Sequence, residues 1–159
     1  MNDFFSGIHE IYRISLRDLV HDKKLINDQG FIDFVRVVSY TNEELEQLLM
    51  YTISWLEIVG TKKSMLKSVF LKKKAELDFE EASKYLTFKE NADRKLTVKD
   101  IESLVESDLE LLNKRKKILE YEAYLEYLEQ LQDTIELLHY SVKSILNERA
   151  LAWKMNGSA

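Results

Sequence analysis

From Thr41 onward the apolar residues step by three and four, the spacing that keeps one helical face turned toward a core. Leu45, Leu48, Leu49, Leu56, Val59, Leu66, Phe70 and Leu77 form this seam, which fades near Leu86. Thr41 and Glu44 fit a capping box, in which hydroxyl and carboxylate answer each other's orphan amides. Gly60 falls inside the predicted helix, where a glycine leaves room for a break or kink. A second helix is predicted from Thr97, with Asp100 completing the N-cap pattern. It runs in one piece to Met155 and ends at Asn156 and Gly157. Its seam is Ile101, Leu104, Leu111, Ile118, Tyr121, Tyr124, Leu128, Leu131, Ile135, Leu138, Val142 and Ile145. From Tyr121 the steps alternate three and four as in a heptad repeat. Two adjoining three-residue steps between Ile118 and Tyr124 shift the stripe there, as at a stammer.

Residues 91–96 are the internal linker, so the two helices fold back on each other as an antiparallel hairpin over 41–159. Residues 1–40 are less regular and read as a small N-terminal docking element. Phe4, Phe5, Ile8, Ile11 and Tyr12 predict a short amphipathic helix up to about Val20. A loop over 21–30 follows, with Asn27, Asp28 and Gly30 as turn formers. FIDFVRVVSY, at 31–40, fits either a short strand or an irregular docking segment. The second helix carries further apolar residues beside its seam: Leu112, Leu119, Leu125, Leu137 and Leu146. One partner helix covers one stripe, so a second stripe argues for burial against the N-terminal element or other subunits. The expected fold is therefore all-α: an elongated antiparallel helical hairpin or coiled coil with a small N-terminal element, assembling into a homo-oligomer. The seam from Tyr121 through Tyr124, Leu128, Leu131, Ile135, Leu138, Val142 and Ile145 is the expected oligomerisation surface.

Composition narrows the function classes. The 159 residues include no proline and no cysteine, which removes disulfide scaffolds, thiolate metal sites and cysteine nucleophiles. No apolar run approaches a membrane span, and MNDFFSGIHE lacks the basic and apolar blocks of a signal peptide, so a cytoplasmic protein is expected. There is no glycine-rich phosphate loop, no G-x-S-x-G and no H-E-x-x-H. Glu136 and His139 make one E-x-x-H pair, and Asp18 with His21 a weaker echo. A di-metal bundle needs two such pairs and two more glutamates. A solvated glutamate beside a half-buried histidine accounts for Glu136 and His139 better. No enzyme activity, metal or cofactor is expected. Three tyrosines in EYEAYLEYLEQ lie near the seam, where packing explains them better than base stacking.

The net charge of −5 is distributed in blocks. TKKSMLKSVFLKKK, at 61–74, holds six lysines and no acid. At 100° per residue Lys63, Lys67 and Lys74 fall within an arc of about 40°. Lys73 lies inside the apolar stripe, where it must snorkel or face a cavity. These lysines suit a phosphate-binding stripe, because ammonium groups track an anionic backbone without reading bases. A solvated face balanced by the glutamates that follow is the competing reading. KRKK, at 114–117, cannot share one face, and Glu110 with Lys114 makes an ordinary i,i+4 pair.

The stretch YTISWLEIVGTKKSMLKSVFLKKK, at 51–74, resembles the first long helix of the UvsY recombination mediators of tailed phages. That family pattern has a tyrosine, a Trp-Leu pair, Lys-Lys, Met-Leu with a basic residue, and further lysines. Here these are Tyr51, Trp55, Leu56, Lys62, Lys63, Met65, Leu66, Lys67, Lys72 and Lys73. FID at 31–33 and the closing NERALAWKMNGSA are also similar in layout. After the lysines this chain continues with the acidic AELDFEEASKYLTF, where the family tends to stay basic and carries a pair of tyrosines. The resemblance implies an oligomer that binds single-stranded DNA. It also implies help to a RecA-type recombinase in displacing the single-stranded DNA-binding protein. Lys62, Lys63, Lys67, Lys72, Lys73 and Lys74 are the expected DNA-binding residues. A coiled-coil scaffold that makes no DNA contact is the alternative.

Overall fold

The computed structural model describes residues 8–20, 25–91 and 96–156. Phe4, Phe5, His21, Gly157 and most of the linker at 91–96 lie outside the described residues. Among the described residues five α-helices follow in order: α1 (Leu16–Leu19), α2 (Phe34–Val37), α3 (Asn42–Glu90), α4 (Val98–Ser107) and α5 (Leu109–Asn156). Among the described residues no strand forms, and α3 packs against α5 as the two arms of a helical hairpin. No helix among the described residues is long and apolar enough to cross a membrane.

The capping boxes set where the helices start. The Thr41 N–H donates to Glu44 Oε2 at 2.7 Å, and the Glu44 N–H donates to Thr41 Oγ1 at 3.2 Å. Thr97 and Asp100 repeat the arrangement at 2.9 and 3.3 Å. Helix α3 passes through Gly60 without a break.

The second helix is not one piece. Asp108 separates α4 from α5 with an extended backbone, φ −65° and ψ 118°. Its Oδ1 accepts the N–H groups of Glu110 and Leu111 at 3.0 and 3.1 Å, which caps the new helix. The break has a packing consequence. In one continuous helix Leu111 would lie about 120° around the axis from Val105, six residues at 100° each. With the break, Val105 and Leu111 enter the same core cluster as Leu77, with Tyr85, Phe88 and Ile118 packed around it. Leu104, expected in the seam, is exposed, and Val105 takes its place.

The N-terminal element also differs from expectation. In place of one amphipathic helix there is a 3-10 turn at Glu10–Tyr12 and the single turn of α1. The Asp18 carboxylate holds the start of α1 by accepting from the N–H and the hydroxyl of Ser15, both at 2.7 Å. The turn over 27–30 forms as the sequence predicts. Asn27 Oδ1 accepts from the Gln29 and Phe31 N–H groups, and Gly30 takes the positive φ of 88° that favours glycine. Among the described residues its pairing is one isolated antiparallel bridge between Ile26 and Ile32. The segment 31–40 is neither a strand nor irregular throughout, because Asp33 caps α2 by accepting the Arg36 N–H at 3.3 Å.

The chain divides into two compact units, Met1–Tyr12 with Ser64–Glu126, and Arg13–Lys63 with Tyr127–Ala159. Both long helices contribute to each. The core of the first is built on Leu66, Leu77, Ile101, Val105, Leu111 and Tyr124. The second buries Leu45, Leu48, Trp55 and Val59 of α3, and Leu128, Leu131, Ile135, Leu138 and Val142 of α5. It also contains Leu16, Leu19, Val20, Leu25, Ile32 and Val37 of the N-terminal element. Arg149 of α5 ties that element down. Its guanidinium donates to the carbonyls of Val38 and Tyr40 at 2.8 Å each and to Asn42 Oδ1 at 2.9 Å.

The seam expected to join subunits is closed inside the chain. Tyr124, Leu128, Leu131, Ile135, Leu138 and Val142 are buried, and Tyr121 and Ile145 are half-buried. A side chain without exposed surface has none left to offer a second copy. The beside-seam residues Leu112, Leu119 and Leu137 remain exposed.

Candidate nucleic-acid interface

The six lysines of 61–74 all lie on α3, because leucine, methionine and lysine are good helix formers and nothing between Lys62 and Lys74 interrupts the helix. They do not all present a free charge. Lys62 and Lys63 fall in the second unit and are half-buried. Lys63 Nζ donates to Glu129 Oε1 at 3.1 Å, and its side chain keeps only 27% of its exposure. Lys67, Lys72, Lys73 and Lys74 fall in the first unit and are exposed.

Lys73, expected to snorkel or face a cavity, does neither. It is exposed and pairs with Glu76 Oε2 at 2.9 Å along the same helix. The hydrogen bond to Glu76 raises the Lys73 pKa above its ordinary value, and the same bond lowers that of Glu76. Between Leu66 and Leu77 no residue of α3 is fully buried, and Val69 and Phe70 are half-buried. The helix face that should seat a hydrophobe at position 73 therefore opens to solvent. Lys74 lies with Nζ 5.9 Å from the centroid of the Phe70 ring, within cation–π range. Lys67 and Lys72 make no ion pair or hydrogen bond among the described residues. Lys67 and Lys74 are seven residues apart and share a helix face to within about 20°.

The acidic stretch after Lys74 has its own partners. Glu80 accepts from Lys114, and Glu81 Oε1 accepts from Arg115 Nε at 2.7 Å. Lys114 also pairs with Glu110 at 3.0 Å, as the i,i+4 spacing predicts. Lys84 reaches Asp108 at 2.6 Å and Glu110 at 3.2 Å. The first half of KRKK thus serves the packing of α5 on α3. Lys116 and Lys117 remain exposed. These long-range pairs are what single-sequence reasoning missed, since helical periodicity says nothing about partners 34 residues away.

The E-x-x-H pair does not converge. Glu136 Oε1 accepts from Gln132 Nε2 at 2.9 Å, whereas His139 Nδ1 lies 2.9 Å from the hydroxyl of Thr52. That hydroxyl already donates to the Leu49 carbonyl at 2.7 Å, so it accepts from His139. Thr52 is the one polar residue fully buried among those described, and His139 satisfies it. Among the described residues no group of three acidic or histidine side chains gathers to hold a metal.

No family model, curated protein or solved structure matches the chain.

Proposed function

We propose that the chain binds single-stranded DNA through Lys67 and Lys74, with Lys72 adding to the local potential. We propose further that it acts as an oligomeric recombination mediator, helping a RecA-type recombinase onto DNA covered by single-stranded DNA-binding protein. The mediator role rests on the resemblance of 51–74. One observation carries the DNA reading: Lys67, Lys72 and Lys74 are exposed without a carboxylate partner, while the nearby Glu76, Glu80 and Glu81 are each held by another base. Three of the four acids after Lys74 are thus already engaged, and Asp78 is the one in that stretch without a basic partner among the described residues. Lys63 and Lys73 drop from direct contact to background potential, because DNA would have to displace Glu129 or Glu76 from them.

The exposed apolar residues Leu112, Leu119 and Leu137 support the oligomeric part. A ring or cluster of copies multiplies a few phosphate contacts through effective concentration. The test is fluorescence anisotropy of labelled oligothymidylate at low salt, parent against Lys67→Ala/Lys74→Ala. The reading expects about tenfold or greater weakening in the double variant, and a much smaller effect from Lys63→Ala. Equal binding by parent and double variant rejects these two lysines as the site. No binding by the parent favours the scaffold alternative.

A further inference from the structure

We propose that an open groove in the first unit docks a basic, amphipathic segment of a partner protein. The groove encloses about 710 Å³ between α3, α4 and the start of α5. Tyr85, Leu86 and Val105 give it an apolar floor, and Asp78, Glu102 and Glu106 bring carboxylates to it. Leu86 is more than half exposed although it is apolar.

Charge complementarity identifies the occupant. In this unit Glu81 at the groove, and Glu76, Glu80, Asp108 and Glu110 near it, are each tied to a lysine or arginine. Asp78, Glu102 and Glu106 have no such pair among the described residues. Arg115 is the one base lining the groove. Its Nε donates to Glu81 and its Nη1 to the Glu106 carbonyl at 3.2 Å, so it leaves the Glu106 carboxylate unanswered. The carboxylates do not form a three-ligand metal group. The complement of unpaired acids around an apolar floor is a helix with leucine-like side chains on one face and lysine or arginine beside them, laid into the groove. Phosphate backbones are repelled from the same surface.

The probe is a fluorescein-labelled amphipathic peptide with one leucine face and one lysine face, titrated against the full chain at moderate salt. The parent is expected to bind, and Glu102→Lys/Glu106→Lys to weaken binding about tenfold or more. Leu86→Asp should weaken it comparably. Glu122→Lys/Glu126→Lys, exposed on α5 outside the groove, should change it less than about twofold. A matching peptide with glutamate in place of lysine should bind the Glu102→Lys/Glu106→Lys variant and not the parent, which shows that this variant is folded. The proposal is overturned if the parent does not bind, if both pairs of reversals weaken binding equally, or if the groove variants bind like the parent. It is also overturned if the groove reversals lower the oligomer mass, which would make a second copy the occupant.

Discussion

Gly60 carries the clearest single-residue expectation. It sits inside α3, and a Cβ built there would meet nothing within 4 Å. Alanine removes backbone freedom from the unfolded chain and adds no clash. Gly60→Ala should stabilise the protein by up to about 1 kcal/mol. Thermal unfolding followed by circular dichroism checks this, with an expected rise of roughly 2–4 °C for a chain of this size. Thr41 is the opposite case. Its hydroxyl accepts one of the four orphan amides of α3, so Thr41→Ala should cost about 1 kcal/mol, measured by urea unfolding. Both residues were legible in the sequence as a helix interior and a helix start. Thr52 was not, because its burial depends on His139, which is 87 residues away.

At the scale of elements, Asp108 decides the most. It ends α4, caps α5 and accepts from Lys84, and these bonds hold its carboxyl below its ordinary value of 3.8, the Lys84 bond most strongly. A carboxyl lowered in the folded state adds stability that is present above its unfolded value and lost as pH falls through the folded one. Asp100, Glu76 and Glu110 are lowered too, by hydrogen bonds to Thr97, Lys73 and Lys114 respectively. Stability should therefore fall on acidification below about pH 4, and Asp108→Asn should flatten part of that fall. Urea unfolding at pH 3 and pH 6 on both proteins is the check. An identical drop in the two would remove Asp108 from the explanation.

The two long helices were readable because capping boxes and three-four spacing are local signals. The break at Asp108 had a signal as well, since Ser107-Asp108 places two cap-forming residues inside a helical pattern. The seam resumes at Leu111, seven residues after Leu104, and that return of the stripe outweighed it. α2 was missed because Phe, Val and Arg in FIDFVRV suit a strand as well as a helix, and only the Asp33 cap tips the balance. Three of the candidate lysines kept free charges, whereas Lys63 and Lys73 are paired. The Lys73–Glu76 pair was within reach of i,i+3 reasoning, but Lys63–Glu129 required knowing how α5 lies against α3.

At the scale of the whole molecule, two sets of leucines separate folding from assembly. Leu138 is fully buried within the chain, and Leu138→Ala should cost about 2–5 kcal/mol of stability. Leu112, Leu119 and Leu137 are exposed. Replacing them with glutamine should leave the thermal midpoint nearly unchanged while lowering the mass in light scattering. A parent that is monomeric at micromolar concentration would remove oligomerisation from the account.

DNA binding is the central claim, and its salt dependence tests it most directly. Each phosphate neutralised on a single strand contributes about −0.7 to the slope of log affinity against log salt. Two lysines per chain, Lys67 and Lys74, therefore give a slope of about −1.4 for each chain engaged. The measurement is oligothymidylate binding by anisotropy between 50 and 200 mM salt, on the parent and on Lys67→Ala/Lys74→Ala. The account predicts a steep parent slope that flattens by about that amount per chain in the double variant, with helicity and mass unchanged. A parent that does not bind at 50 mM salt, or a double variant with the parent's affinity and slope, would contradict it.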